Sequence, residues 1–253
     1  MTFGYNKDLD QKIEQYLNSK KITATGKKPV AVFDADGTLW NGDLGDDFFK
    51  YQRDKDLMPK APEKGQKLLD LYVSMGHSAL AYGHMALWNE GVFEENLWSW
   101  ARDCWHQIPE SRILAQQKQL VAALTKAGFE VWVVSASLWW VVAEGAQRHF
   151  GIPPERVLAT RTKVKNGRLT GEWAYPVPYK GGKVDVIKSQ LKAPLHLVSG
   201  NSMGDYEMML LAQELVLVIN TAKKDSEYYQ TECEIREIAQ KKPTAALWLV
   251  HQE

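Results

Sequence analysis

The chain has 253 residues, 45% hydrophobic and 25% charged, which is the composition of an ordinary soluble globular protein with apolar material for a sizeable core in one domain or two. Lys plus Arg and Asp plus Glu number 31 each, so there is no global field to draw the chain to nucleic acid or to an anionic membrane. Its two cysteines, Cys104 and Cys233, have no metal-ligand spacing and stand in helix-like contexts, which argues against a disulfide framework.

The opening MTFGYNKDLDQKIEQYL is polar and charged, without the apolar stretch of a signal peptide, so the expected compartment is the reducing cytoplasm. The spacing of Ile13, Tyr16 and Leu17 predicts a leading helix over 11–19, followed by a polar connector over 20–28. Short β-branched runs at 30–33, 131–134, 195–198 and 215–219 read as buried parallel strands, the first three each ending on a polar or acidic residue. The apolar stretch 131–143 is interrupted by Ser135 and Ser137 and is too short to span a bilayer. Helical patterns at 111–126 and 140–150 have Gly128 and Gly151 as stops. Strands alternating with helices imply an α/β, Rossmann-like doubly wound sheet.

The segment 43–108 breaks that alternation, with helical patterns and no convincing strand, and reads as a helical insertion. This divides the chain into a core of 1–42 and 109–253 and a cap of 43–108. Within 162–173, Asn166-Gly167 between TKVK and RLT predicts a hairpin with a type I′ turn. Eight of the ten tryptophans lie between Trp40 and Trp140, and Trp98, Ala101, Trp105 and Ile108 have the spacing of one buried helical face. The histidines show no repeated ligand spacing, and none is assigned a role.

The chemistry is carried by strand ends. The run Val30-Ala31-Val32-Phe33 leads into Asp34-Ala35-Asp36-Gly37-Thr38, which sets two carboxylates on one side of the chain before a glycine lets it turn. Ligands bind at such carboxyl ends in open α/β sheets. A strand-to-turn junction would use the same residues, so this motif alone decides nothing. Three later segments add to it. The second strand leads to Ser135-Ala136-Ser137, Lys183 opens a helical pattern with Lys180 as the fallback, and the strand at 195–198 leads to Ser199-Gly200-Asn201-Ser202-Met203-Gly204-Asp205. Asp205 would also serve as an N-cap for a helix over 206–212.

In this order, DADGTLW, Ser135, Lys183 and Asp205 resemble the four motifs of the haloacid dehalogenase superfamily, in its phosphoserine-phosphatase-like branch. That branch has a helical cap between the first two motifs and a hairpin before the lysine. The resemblance implies a Mg²⁺-dependent phosphatase acting on a small phosphorylated metabolite through an aspartyl-phosphate. In it Asp34 is nucleophile and metal ligand, and Asp36 is general acid and base. Thr38, Ser135, Ala136 and Lys183 bind phosphate. The metal is held by Asp34, the Asp36 carbonyl, Asp205 and Asn201, the last standing where the branch commonly has aspartate. A phosphonate- or haloacid-cleaving hydrolase, or a silent binding protein of the same fold, are the rival readings. A halide leaving group needs no acid, and Asp36 argues against the haloacid reading.

After the first motif, Trp40-Asn41-Gly42-Asp43-Leu44-Gly45-Asp46-Asp47 is similar to the corresponding stretch of phosphorylcholine phosphatases. The similarity implies a cationic leaving group, an amino alcohol, held by Asp43, Asp46 and Asp47 with Trp40 and Trp139 as an aromatic wall. Acids at a helix start also favour the helix dipole, and Asp43, Asp46 and Asp47 would equally be expected there if they only stabilised the first cap helix.

Overall fold

A computed structural model describes residues 2–19 and 28–252. The polar connector expected over 20–28 therefore lies, apart from Lys28, outside the described residues. The chain divides into two compact units, one of 1–42, 111–133 and 191–253, the other of 43–110 and 134–190.

The first unit opens with α1, Lys7–Ser19, which starts earlier than the apolar spacing alone suggested because Asn6 caps it, its Oδ1 accepting from the Leu9 amide at 3.0 Å. Strand β1, Val30–Phe33, is buried along its whole length. In the second unit come the helices α2, Leu44–Asp54, α3, Gly65–Ser74, α4, Ala79–Leu87, and α5, Glu94–Gln107. Helix α6, Ala115–Lys126, returns to the first unit and ends before Gly128, whose φ of +87° suits glycine. Strand β2, Glu130–Leu138, passes from the first unit into the second and runs four residues beyond the expected 131–134.

Helix α7, Trp139–Phe150, stops on Gly151 in the left-handed conformation. Strand β3, Val157–Thr160, follows, and then the hairpin of β4, Thr162–Lys165, and β5, Arg168–Trp173. Asn166 at φ +53° and Gly167 at φ +73° make the expected turn. Helix α8, Gly181–Gln190, ends the second unit. The first unit resumes with β6, Leu195–Gly200, α9, Tyr206–Met209, β7, Ala212–Asn220, α10, Tyr229–Gln240, and β8, Leu247–Gln252. The short β3 and the terminal β8 were not foreseen, since neither is a distinct β-branched run in the sequence.

The six strands form one sheet in the order β3-β2-β1-β6-β7-β8, parallel from β2 through β8. Strand β1 is central, and the chain winds outward from it in both directions. The crevice beyond the carboxyl ends of β1 and β6 is therefore the switch point at which such sheets bind ligands. Among the described residues no helix is long and apolar enough to cross a membrane.

In the second unit, α5 buries Leu97, Ala101, Cys104 and Trp105, a face rotated slightly from the expected one so that Trp98 and Ile108 are only half-buried. Trp105 donates its indole N–H to the Val141 carbonyl at 2.8 Å, and its ring lies over Gly145 of α7. A Cβ on Gly145 would stand 2.1 Å from Trp105 Cζ2. Gly145→Ala should thus lower stability by about 1–3 kcal/mol through overpacking, against the roughly 1 kcal/mol that alanine gains in a helix. Denaturant unfolding measures this; an unchanged or raised midpoint would show that the Trp105 ring can yield.

Candidate active site

In the first unit, Asp34 follows directly on β1, its amide donating to the Ser199 carbonyl of β6 at 2.9 Å, so the backbone at this carboxylate is held by the sheet. The side chain is 6% exposed. Thr38 donates its hydroxyl to Asp34 Oδ2 at 3.1 Å. The loop then closes on itself: Gly37 donates to the Trp40 carbonyl at 2.8 Å, while the Thr38 and Leu39 amides donate to the Ala35 carbonyl at 3.1 and 2.8 Å. Gly37 has φ +72°, and a Cβ there would stand 2.0 Å from Asn201 Nδ2. Both the turn and the close approach require glycine.

Trp40 is fully buried, and its indole N–H donates to Asp36 Oδ1 at 2.6 Å. Its part in an aromatic wall for a cation is corrected accordingly. Trp40 offers no open face and instead fixes the direction of the Asp36 carboxylate.

Beyond β6, Asp205 Oδ2 accepts from the Asn201 amide at 3.1 Å, the Ser202 amide at 3.1 Å and the Ser202 hydroxyl at 3.3 Å. The Asp205 side chain lies against Gly200, where a Cβ would meet Asp205 Cβ at 2.7 Å. Asp205 is 2% exposed and orders the loop on which Asn201 stands. Its side chain makes no cap bond to α9, and that helix ends at Met209 rather than reaching 212. Asn201 Nδ2 donates to Glu232 Oε1 at 3.1 Å, and the Ala222 amide donates to Glu232 Oε2 at 2.9 Å. Burial pushes the Glu232 carboxyl above the usual range, and the bonds from Ala222, Asn201 and Thr221 oppose this. Sequence reading missed Glu232, because a glutamate in the first turn of a helix is ordinary.

In the second unit, Ser135 is buried in β2, its Oγ accepting from the Ser137 amide at 3.1 Å, and the half-buried Ala136 offers its carbonyl to the Thr160 hydroxyl at 2.5 Å. Lys183 stands in the first turn of α8, 3% exposed, with Nζ donating to the Val134 carbonyl at 2.9 Å. Lys180 is exposed, its ammonium 5.4 Å from the Tyr179 ring centroid. Of the two candidates, Lys183 is thus the buried one, set close to Ser135 along β2.

Asp43 is the N-cap of α2 and accepts from the Asp46 amide at 2.8 Å, so for this acid the helix-start use is realised. Asp46 Oδ1 accepts from the Tyr72 hydroxyl at 3.0 Å. Burial and the Asp46 charge raise the Tyr72 phenol far above its usual range, which keeps it a donor. Asp47 is half-buried in the same first turn. Trp139 is also corrected as a wall for a cation: the Arg161 guanidinium lies 4.0 Å from its ring centroid, Trp98 meets it edge-on, and its indole donates to the Val157 carbonyl at 2.9 Å.

The fold and the residues beyond β1 and β6 define an α/β protein with carboxylates gathered at a sheet switch point. A family model for the haloacid dehalogenase-like hydrolases matches residues 31–210, well over half of the sequence, and the chain belongs to that family. No curated protein matches it in sequence. Among solved structures it is similar to a Bordetella pertussis Tohama I protein of unknown function, at 20% identity over 89% of this chain and 99% of that one with a TM-score of 0.69. It is similar also to a phosphoserine phosphohydrolase-like protein from Francisella tularensis, at 16% identity over 83% and 92% with a TM-score of 0.50. A probable phosphoserine phosphatase from Vibrio cholerae shares 14% identity over 86% and 68%, with a TM-score of 0.53. At these identities the likeness is one of fold.

Gly37→Ala should cost about 1–3 kcal/mol of stability and most of the activity, because its methyl group displaces the Asn201 amide and strains the turn. Melting curves with a parallel turnover assay check both; a variant with wild-type turnover would show that the Gly37–Asn201 packing does not matter to the site.

Proposed function

We propose that the protein is a Mg²⁺-dependent phosphomonoesterase acting on a small phosphorylated metabolite. The observation that carries the reading is the pair Asp34 and Asp36 at the end of the central strand, the first bonded by Thr38 and the second by Trp40. In this reading Asp34 attacks phosphorus, the phosphorus–oxygen bond to the leaving group breaks, and Asp36 gives its proton to the departing oxygen. Asp36 then takes a proton from the water that cleaves the aspartyl-phosphate, returning the Asp34 carboxylate and releasing inorganic phosphate. To Ser135, the backbone near Ala136 and Lys183 this reading gives the binding of phosphate oxygens, the lysine as a point charge. Thr38 orients Asp34 through the bond it already makes.

The oxygen donors at hand fit a hard cation: the Asp34 carboxylate, the Asp36 carbonyl, and Asn201 and Asp205 beyond β6. Among the described residues no three His, Cys, Asp or Glu side chains group as a metal site, so this ligand set rests on a backbone carbonyl and a side-chain amide beside two carboxylates. When bound, Mg²⁺ supplies positive charge against which a carboxylate can approach a phosphate dianion. Asp34→Asn, which keeps shape and removes the nucleophile's charge, should abolish Mg²⁺-dependent turnover of a chromogenic phosphomonoester while leaving the melting curve in place. Wild-type turnover in that variant would refute the aspartyl-phosphate mechanism.

For the leaving group, the acids Asp46 and Asp47 favour an amino alcohol. Trp40 is buried and the Trp139 face is covered by Arg161, so in this reading the ammonium is recognised by carboxylate oxygens and not by a ring face. That favours an ammonium with N–H groups to donate, as in phosphoserine or phosphoethanolamine, over the quaternary group of phosphocholine. In kcat/KM the first two should exceed glycerol phosphate and a sugar phosphate by about tenfold or more, the scale of one charged hydrogen bond, and Asp46→Asn should narrow the gap. Equal turnover of all four would return the acids to the helix start alone.

A further inference from the structure

The position after Gly200 carries an amide where charge would help a metal most. Asn201 is 6% exposed, and its side chain is held from two sides. Nδ2 is the atom against Gly37, 2.0 Å from where a Cβ there would stand, and it also donates to Glu232. A carboxylate only accepts when ionised, so this bond settles which end of the amide points where: Nδ2 faces Glu232, and Oδ1 is turned away from it. Glu232 is 3% exposed and stands in the first turn of α10. Its bonds come from neutral groups, the Asn201 amide and the backbone N–H of Ala222 and Thr221. Arg236 acts on it as a cation, and its Nη2 bonds Cys233 Sγ at 3.3 Å. Burying a carboxylate without an ion pair is expensive, and a fold that only needed to tie α10 to β6 could do so with two amides.

We propose that Glu232 is a positioning residue for the metal site: it fixes Asn201 with Oδ1 as the metal-directed atom and restores, one residue behind the ligand, the negative charge that asparagine lacks. This rests on the metal-dependent reading above and adds a residue to it. Ligand-orienting partners of this kind are general at metal sites, and their loss typically weakens metal binding about 10- to 100-fold.

The test reads metal binding without substrate, by titrating the protein with Mn²⁺ and following free Mn²⁺ by electron paramagnetic resonance, with melting curves for each variant. Glu232→Gln should weaken Mn²⁺ binding about tenfold or more. Asn201→Asp alone sets two buried carboxylates against each other and should lower the melting temperature in the absence of metal. The double variant Asn201→Asp with Glu232→Gln moves the charge onto the ligand, and should recover most of the affinity and the stability. A purely structural Glu232 would give no such recovery. The proposal is overturned if Glu232→Gln binds Mn²⁺ as tightly as the wild type, if the double variant binds no better than Glu232→Gln, or if the wild type binds no Mn²⁺. Failure of the phosphatase reading looks different: Mn²⁺ is bound in a Glu232-dependent way and no phosphomonoester is hydrolysed.

Discussion

A carboxylate buried at the end of a strand has to be met by donors or by a cation, and the first unit is organised around that requirement. Strand β1 delivers Asp34 into the crevice at the switch point with its amide spent on Ser199. The next six residues fold back so that Thr38 and Trp40 each bring a proton donor to one of the two carboxylates. Only a chain with glycine at 37 can turn that tightly and still let Asn201 approach. The loop after β6 solves a similar problem with Asp205, which is met by two amides and a hydroxyl of its own loop. Each of these bonds costs the unfolded chain order, and burial makes each expensive to lose.

The sheet was legible because its central strands are continuous β-branched runs, buried on both faces, and each ends on a residue that cannot continue the core. The hairpin was legible from two residues, Asn166 and Gly167, since few other pairs accept positive φ twice. The edges were not: β3 and β8 are edge strands, where one neighbour is missing and the pattern has less to satisfy. The helical character of 43–108 was visible in its period. The grouping of 134–190 with that segment was not, because which helices pack on which is a matter of surface fit, as between Trp105 and Gly145.

At the site, strand-end position picked out Asp34, Ser135, Asn201 and Asp205, and motif order picked out Lys183. What the residue types could not tell was how each side chain is already engaged. Two tryptophans beside two motifs suggested an aromatic wall. One has its ring buried and its N–H on Asp36, and the other has its face covered by a guanidinium. A ring serves a cationic ligand only when its face is open, and the sequence carries the ring without saying what lies on it. Glu232 was invisible for the converse reason, since it is 31 residues from the group it contacts.

The acids of this chain show how position alone separates roles for one functional group. Asp43 precedes a helix, where an oxygen near free amides is stabilised, and its contact is with the Asp46 amide. Asp205 follows a strand in a loop of small residues and gathers that loop's own amides. Asp34 also follows a strand, but the sheet has already taken its backbone amide, and the Thr38 hydroxyl donates to its Oδ2. One functional group is thus put to three uses by the backbone it follows: the start of a helix, a loop of small residues, and the end of a central strand.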